Sequence, residues 1–190
     1  VRRSLSTAPL LAQLDLADWP RLQEVLHKSL EAAGDDTAER LRVLVLQAQN
    51  AESHLARREV AMDAWRQVLA IDPTDERAAD HLAALYTQAE RWYDLAEVLR
   101  EHLAASPRSP VTADRRVALL VRLAEVAEGK LRDADLAIEC LTEVLETHPS
   151  HGGARLVLAG LHEQAGDWDQ AAEALERVAA DAGTAEQRGT

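Results

Sequence analysis

Apolar residues recur at helical spacing along most of this chain, and polar pairs interrupt them at short intervals. From residue 82 to 103, Leu82, Leu85, Tyr86 and Ala89 advance by three, one and three. Glu90-Arg91 breaks the pattern, and Leu95, Val98, Leu99 and Leu103 resume it. Steps of three and four put such residues on one stripe of a helix, so the segment reads as two helices joined by a tight polar turn.

The figure repeats. Leu11-Ala12 to Trp19, Leu82-Ala83 to Trp92, and Leu158-Ala159 to Trp168 share it, and the three tryptophans are nearly evenly spaced. A second pattern lies between them: residues 61–73 (Ala61 through Trp65 and Val68 to Asp72-Pro73) match residues 137–149 (Ala137 through Leu141 and Val144 to His148-Pro149), at an offset of 76. A doubled period of that size means a basic unit of about 34 to 38 residues in two alternating flavours. Ten helices in five hairpins follow, as units of about 5–33, 37–73, 75–107, 112–149 and 151–183. Polar breaks are expected at Gly34-Asp35-Asp36 and at Ser106 to Pro110. Pro73, Pro107 and Pro149 stop second helices, because proline cannot continue a helix. Thr74 or Asp75, and Ser150, offer oxygens to cap the helices that follow. Ala83, Ala124 and Ala159 fall where two helices must approach closely. One hairpin has too little apolar surface to fold alone, so stacked neighbours build a continuous core.

Composition supports helix. Ala (36) and Leu (29) dominate, Val and Ile are few beside them, and Phe is absent. Strong helix formers in place of β-branched and aromatic residues disfavour any sheet fold. A formal charge of −12 disfavours nucleic acid and anionic lipid as partners. A single cysteine, Cys140, forbids an internal disulfide. The run Val117 to Val121 is stopped by Arg122, far short of a membrane span, so no membrane insertion is expected. The chain opens with Val1 and shows no signal peptide before Ala8, which reads as a piece of a longer polypeptide with a cytoplasmic location by default.

These residues resemble the tetratricopeptide repeat. Leu158-Ala159, Ala165-Gly166-Asp167-Trp168, Ala171, Leu175 and Val178 follow the family pattern, as do Leu82-Ala83, Tyr86, Trp92 and Leu99, and Ala61, Trp65 and Val68 up to Asp72-Pro73. The second and fourth units lack the Gly-Asp turn and carry Leu55-Ala56-Arg57-Arg58 and Leu131-Arg132-Asp133-Ala134 there. The resemblance implies an all-α, right-handed superhelical solenoid of about five helix-turn-helix repeats, a single array over residues 1–190.

Candidate chemistry is sparse. His148, His151 and His162 are the imidazoles nearest one another, but a proline splits the first two and His162 sits in a core column, so no metal site is expected. Cys140 reads as a small core hydrophobe and Gly152-Gly153 as an inter-repeat turn. Trp19, Trp92 and Trp168 at one repeat column, and Trp65 at another, read as packing residues. No phosphate loop, nucleophile elbow or metalloprotease motif occurs, so neither a cofactor nor an enzyme activity is expected.

What is left is a surface. In superhelical arrays the first helices line a concave groove whose residues choose the partner. Here that groove is expected to carry Arg42, Val45, Leu46, Gln49 and Glu52, then Arg77, Asp80, His81, Ala84 and Thr87. The fourth unit adds Val121, Arg122, Glu125 and Glu128, and the fifth adds Leu156, Val157, Gly160 and Glu163. The Lys and Asn clamp by which some members of the family grip a carboxylate is absent, since Asn50 is the sole Asn and neither Lys falls in the groove. An amphipathic helix or extended peptide is the expected guest, with Arg122 receiving an acidic side chain. The function expected is a non-enzymatic interaction or scaffold module; the alternative is a regulatory or sensor region fused to an enzyme outside this chain.

Overall fold

The periodic apolar stripes fold as helices and the polar breaks as their ends. A computed structural model describes residues 19–53, 57–106 and 113–188, with side chains to residue 180. The helices are α1 (Trp19–Ala33), α2 (Thr37–Ser53), α3 (Arg58–Ile71), α4 (Glu76–Gln88), α5 (Trp92–Ala105), α6 (Ala113–Val126), α7 (Ala134–Thr147), α8 (Gly152–Ala165) and α9 (Trp168–Arg188). No strand occurs among the described residues, and the expected all-α hairpin architecture is the one observed. The helix expected before Trp19 and the stop at Pro107 lie outside the described residues.

The chain forms two compact units, residues 1–105 and 106–190. In the first, α1 to α5 each pack on the next helix in sequence; in the second, α6 to α9 do the same. Trp65, Tyr86, Leu82, Leu95 and Leu99 fill the first core, and Leu123, Leu141, Val144 and Leu161 fill the second. Ala83, Ala124 and Ala159 are buried, which lets paired helices come close. Asn50 is also buried: its Nδ2 donates to the Trp19 carbonyl at 3.1 Å and to Gln23 Oε1 at 2.8 Å, tying α2 to α1.

The helix ends show how the repeat is punctuated. Asp75 caps α4 by accepting from the Ala78 amide at 3.0 Å. The expected cap Ser150 is not used. His151, the equivalent of Asp75 one double repeat later, caps α8 instead, its Nδ1 accepting from the Ala154 amide at 3.0 Å. The repeat register, rather than side-chain type, fixes which residue faces the free amides. Gly166 ends α8 in the left-handed region (φ 82°). Glu90, its counterpart one double repeat earlier, takes the same region at φ 55° without glycine's freedom. The long first helix expected in the fourth unit continues α6 into a π-helical turn, Ala127–Leu131, closed by left-handed Arg132 (φ 59°). Asp133 then caps α7 through the Leu136 amide.

One expectation needs correcting. Trp65 is buried at 1% exposure, but Trp19 and Trp92 are half-buried and Trp168 is 68% exposed. Trp92 and Trp168 open the second helices of their hairpins, just after the polar turn, and Trp19 opens α1. The hairpin interior is filled one turn later, by Leu95 and Leu99 in α5 and by Ala171 in α9.

Candidate interaction surface

In the first unit the expected groove residues lie on α2 and α4. Arg42 and Gln49 are exposed on α2, with Val45 and Leu46 half-buried beside them. On α4, Arg77, Asp80, Ala84 and Thr87 are exposed and His81 is half-buried. Arg77 lies 3.4 Å from Asp75, and the Thr87 hydroxyl donates to the Ala83 carbonyl at 2.7 Å.

The two first helices meet at one carboxylate. Glu52 of α2 accepts from Nδ1 of His81 at 3.1 Å and from Nε1 of Trp65 at 3.3 Å. The His81 ring stacks on the Trp65 indole, so α2, α3 and α4 are joined by one polar and aromatic cluster. His81 and Glu52 are therefore partly committed to structure. Arg42, Gln49, Asp80 and Ala84 remain on the solvent side of the helices.

A second network ties α3, α4 and α5 together. Tyr86 Oη accepts from Arg66 Nε at 2.5 Å, and the Arg91 guanidinium lies over the Tyr86 ring, 5.0 Å from its centroid. Burial holds the Tyr86 hydroxyl above its usual pKa, so it stays protonated there. Asp94 accepts from Arg91 at 2.7 Å and lies 3.3 Å from Arg66. The hydrogen bond from Arg91, then its charge and that of Arg66, outweighs burial and holds the Asp94 carboxyl below the usual range.

In the second unit, Val121 and Arg122 of α6 are half-buried and Glu125 is exposed; Glu128 is half-buried in the π-helical turn. Arg122 already has an interaction partner. On α8, Leu156 and Val157 are 52% and 40% exposed, with half-buried Gly160 and exposed Glu163 beyond them. A Cβ placed on Gly160 would meet no atom within 4 Å, so a notch stays open one turn from the apolar pair.

Residues 116–189 match the family model of the tetratricopeptide repeat. Residues 61–73 repeat residues 137–149 of that region at an offset of 76. This region, residues 116–189, carries tetratricopeptide repeats. Among solved structures the chain is similar to MamA, with a TM-score of 0.53 and 15% identity over 92% of this chain and 98% of that one. MamA AMB-1 matches at 0.54 and 20% identity, over 85% of this chain and 83% of that one. BtubC (BKLC) from P. vanneervenii matches at 0.51 and 16%, over 89% and 75%. At such identities the likeness is one of fold. No curated protein matches the chain.

Several histidines have local duties. His151 caps α8, and His148 Nε2 lies 3.2 Å from Asp114. His102, 2% exposed, bonds through Nδ1 to the Pro73 carbonyl at 3.0 Å and so anchors the turn between α3 and α4. Cys140 is buried in α7. No described helix is long and apolar enough to cross a membrane. Reading the sequence missed a cleft between the two second helices α3 and α5, away from the expected groove. Its walls come from residues that the periodicity alone assigns to solvent or core.

Proposed function

We propose that this chain is a non-enzymatic protein-interaction module whose first-helix surface receives a peptide or a helix. Tetratricopeptide repeats generally mediate protein–protein interaction, and that much follows from the family. One observation carries the finer reading. Leu156 and Val157 stand in water on α8, whereas Ala154, Ala159 and Leu161 of the same helix are buried. The helix buries Ala154, Ala159 and Leu161 together with Arg155, yet leaves these two larger apolar side chains facing outward. Gly160 leaves room beside them for a guest backbone or side chain. A helix laid along this face removes both side chains from water, a gain of about 25 cal/mol for each Å² of apolar surface covered.

The test starts by capturing partners with the parent chain, then purifying one and titrating it against parent and Leu156→Glu forms. The variant is expected to bind at least about tenfold more weakly, with helicity and melting temperature unchanged because the site is exposed. Equal affinity removes this face of α8 from the interaction surface.

A further inference from the structure

The doubled repeat places two clefts at equivalent positions, one in each unit, between successive second helices. In the first unit the cleft lies between α3 and α5, with Leu82 of α4 also lining it, and has a volume of about 470 Å3. In the second it lies between α7 and α9 with Leu158 of α8, and holds about 110 Å3. Five positions correspond at the offset of 76: Leu69 with Leu145, Leu82 with Leu158, Glu97 with Glu173, Val98 with Ala174, and Glu101 with Arg177. Only the last pair reverses charge.

In the second cleft the chain supplies its own cations. Arg177 is paired with Glu173 at 2.6 Å, and Arg155 donates to the Pro149 carbonyl. In the first cleft those two positions are held by Glu101 and Ala79. Glu97 is kept, 3.5 Å from Arg66, whose guanidinium is shared with Tyr86 and Asp94. Glu101 is exposed and has no ionic partner among the described residues. The Pro73 carbonyl, counterpart of that of Pro149, accepts from His102 Nδ1. A carbonyl only accepts, so that nitrogen carries the proton, and in the neutral ring Nε2 is left as an acceptor. The first cleft is lined by two carboxylates and one guanidinium, that of Arg66, already engaged by Tyr86, Asp94 and Glu97, which leaves Glu101 as the unmatched charge; the second is lined by two guanidinium groups and one carboxylate. Its apolar wall, from Leu69, Leu82 and Val98, suits an alkyl stem.

We propose that the cleft between α3 and α5 is a binding site for an arginine side chain of a partner peptide, seated beside Glu101 and Glu97 as Arg177 is beside Glu173. The volume lies within the range of ligand-binding clefts, about 300–1,000 Å3. Carboxylates recognise guanidinium through charge-assisted hydrogen bonds, and the apolar wall covers the methylenes. The site lies off the first-helix surface, so the two surfaces can be separated by experiment.

The probe is the acetylated tripeptide amide alanyl-arginyl-alanine, titrated into the intact chain and followed by NMR at the Val98 methyls and the His102 ring. Its counterpart carries norleucine in place of arginine. The arginine peptide is expected to give saturable shifts at Val98 and His102, and the norleucine peptide to bind at least about tenfold more weakly. Glu101→Arg should abolish the shifts, Glu101→Gln should weaken them, and Arg177→Glu in the other unit should leave them unchanged. Since Glu101 is exposed, the amide spectrum away from the cleft reports that each variant is folded. Equal binding of both peptides, unchanged binding by Glu101→Arg, shifts confined to α2 and α4, or no shifts at all would each overturn the proposal.

Discussion

The imidazole of His81 lies flat on the indole of Trp65, with ring centroids 4.7 Å apart and planes 10° apart. The stack sits over the joint of α2, α3 and α4, and Glu52 binds both rings from the side. Trp65 is thus a keystone of the first unit, whereas Trp92 lies half-buried at a helix start. Trp65→Ala is expected to cost about 3–5 kcal/mol, the range for deleting a buried aromatic. Trp92→Ala should cost less than Trp65→Ala, since part of its surface is already in water. Urea unfolding of the two variants checks the order; a reversal would show that the α5 start, not the α2–α4 joint, holds this unit together.

The equivalent caps Asp75 and His151 make a matched pair. Asp75→Ala should destabilise by about 1 kcal/mol, the usual loss for an N-cap carboxylate. His151→Asn keeps an acceptor at that position and should be nearly neutral, while His151→Ala loses it. Thermal melts of the three variants give the comparison; a neutral His151→Ala would mean that the Ala154 amide is satisfied by water.

Glu90 occupies a left-handed backbone position that Gly166 occupies in the other unit. The left-handed region costs a residue bearing a Cβ about 1–2 kcal/mol, and glycine gives back about 0.5–1 kcal/mol in unfolded-chain entropy. Glu90→Gly should therefore stabilise by about 0.5 kcal/mol, and Gly166→Ala should destabilise. Chemical denaturation of both reads the signs, and a destabilising Glu90→Gly would show that this side chain contributes more than its strain.

Asp94 makes the first unit sensitive to acid. Its carboxyl titrates below the usual range in the folded chain because Arg91 and Arg66 hold the charged form. The stability this contributes is full above the unfolded carboxylate pKa, about 3.9, and is lost as pH falls through the lower folded value. Asp94→Asn should be destabilised at pH 7, and its deficit should shrink as the pH falls below that value. Unfolding curves at neutral and acidic pH decide it, and a deficit constant with pH would mean that the loss is one of packing alone.

The sequence by itself determined the helices and their order. Leu82 and Leu85 in α4, and Leu95 and Leu99 in α5, can be buried together only as one stripe on each helix, and the repeat offset carries that solution from one unit to the next. The buried alanines at positions 83, 124 and 159 were legible for the same reason, since each falls on the apolar stripe of its helix, where a small residue lets another helix approach. Which side chains lie on a first helix was legible too, and so Leu156 and Val157 were placed on the right element. Periodicity does not say how deep a residue sits. Trp65 and Trp168 both look like packing aromatics in the sequence, yet one is sealed under three helices and the other stands in water. Depth depends on which neighbouring helix lies over a position, and only tertiary packing decides that. The same holds for the cleft between α3 and α5. The exchange of Glu101 for Arg177 can be read from the aligned repeats, but it gains meaning only when helix spacing leaves an opening beside one residue and a neighbouring carboxylate pairs the other.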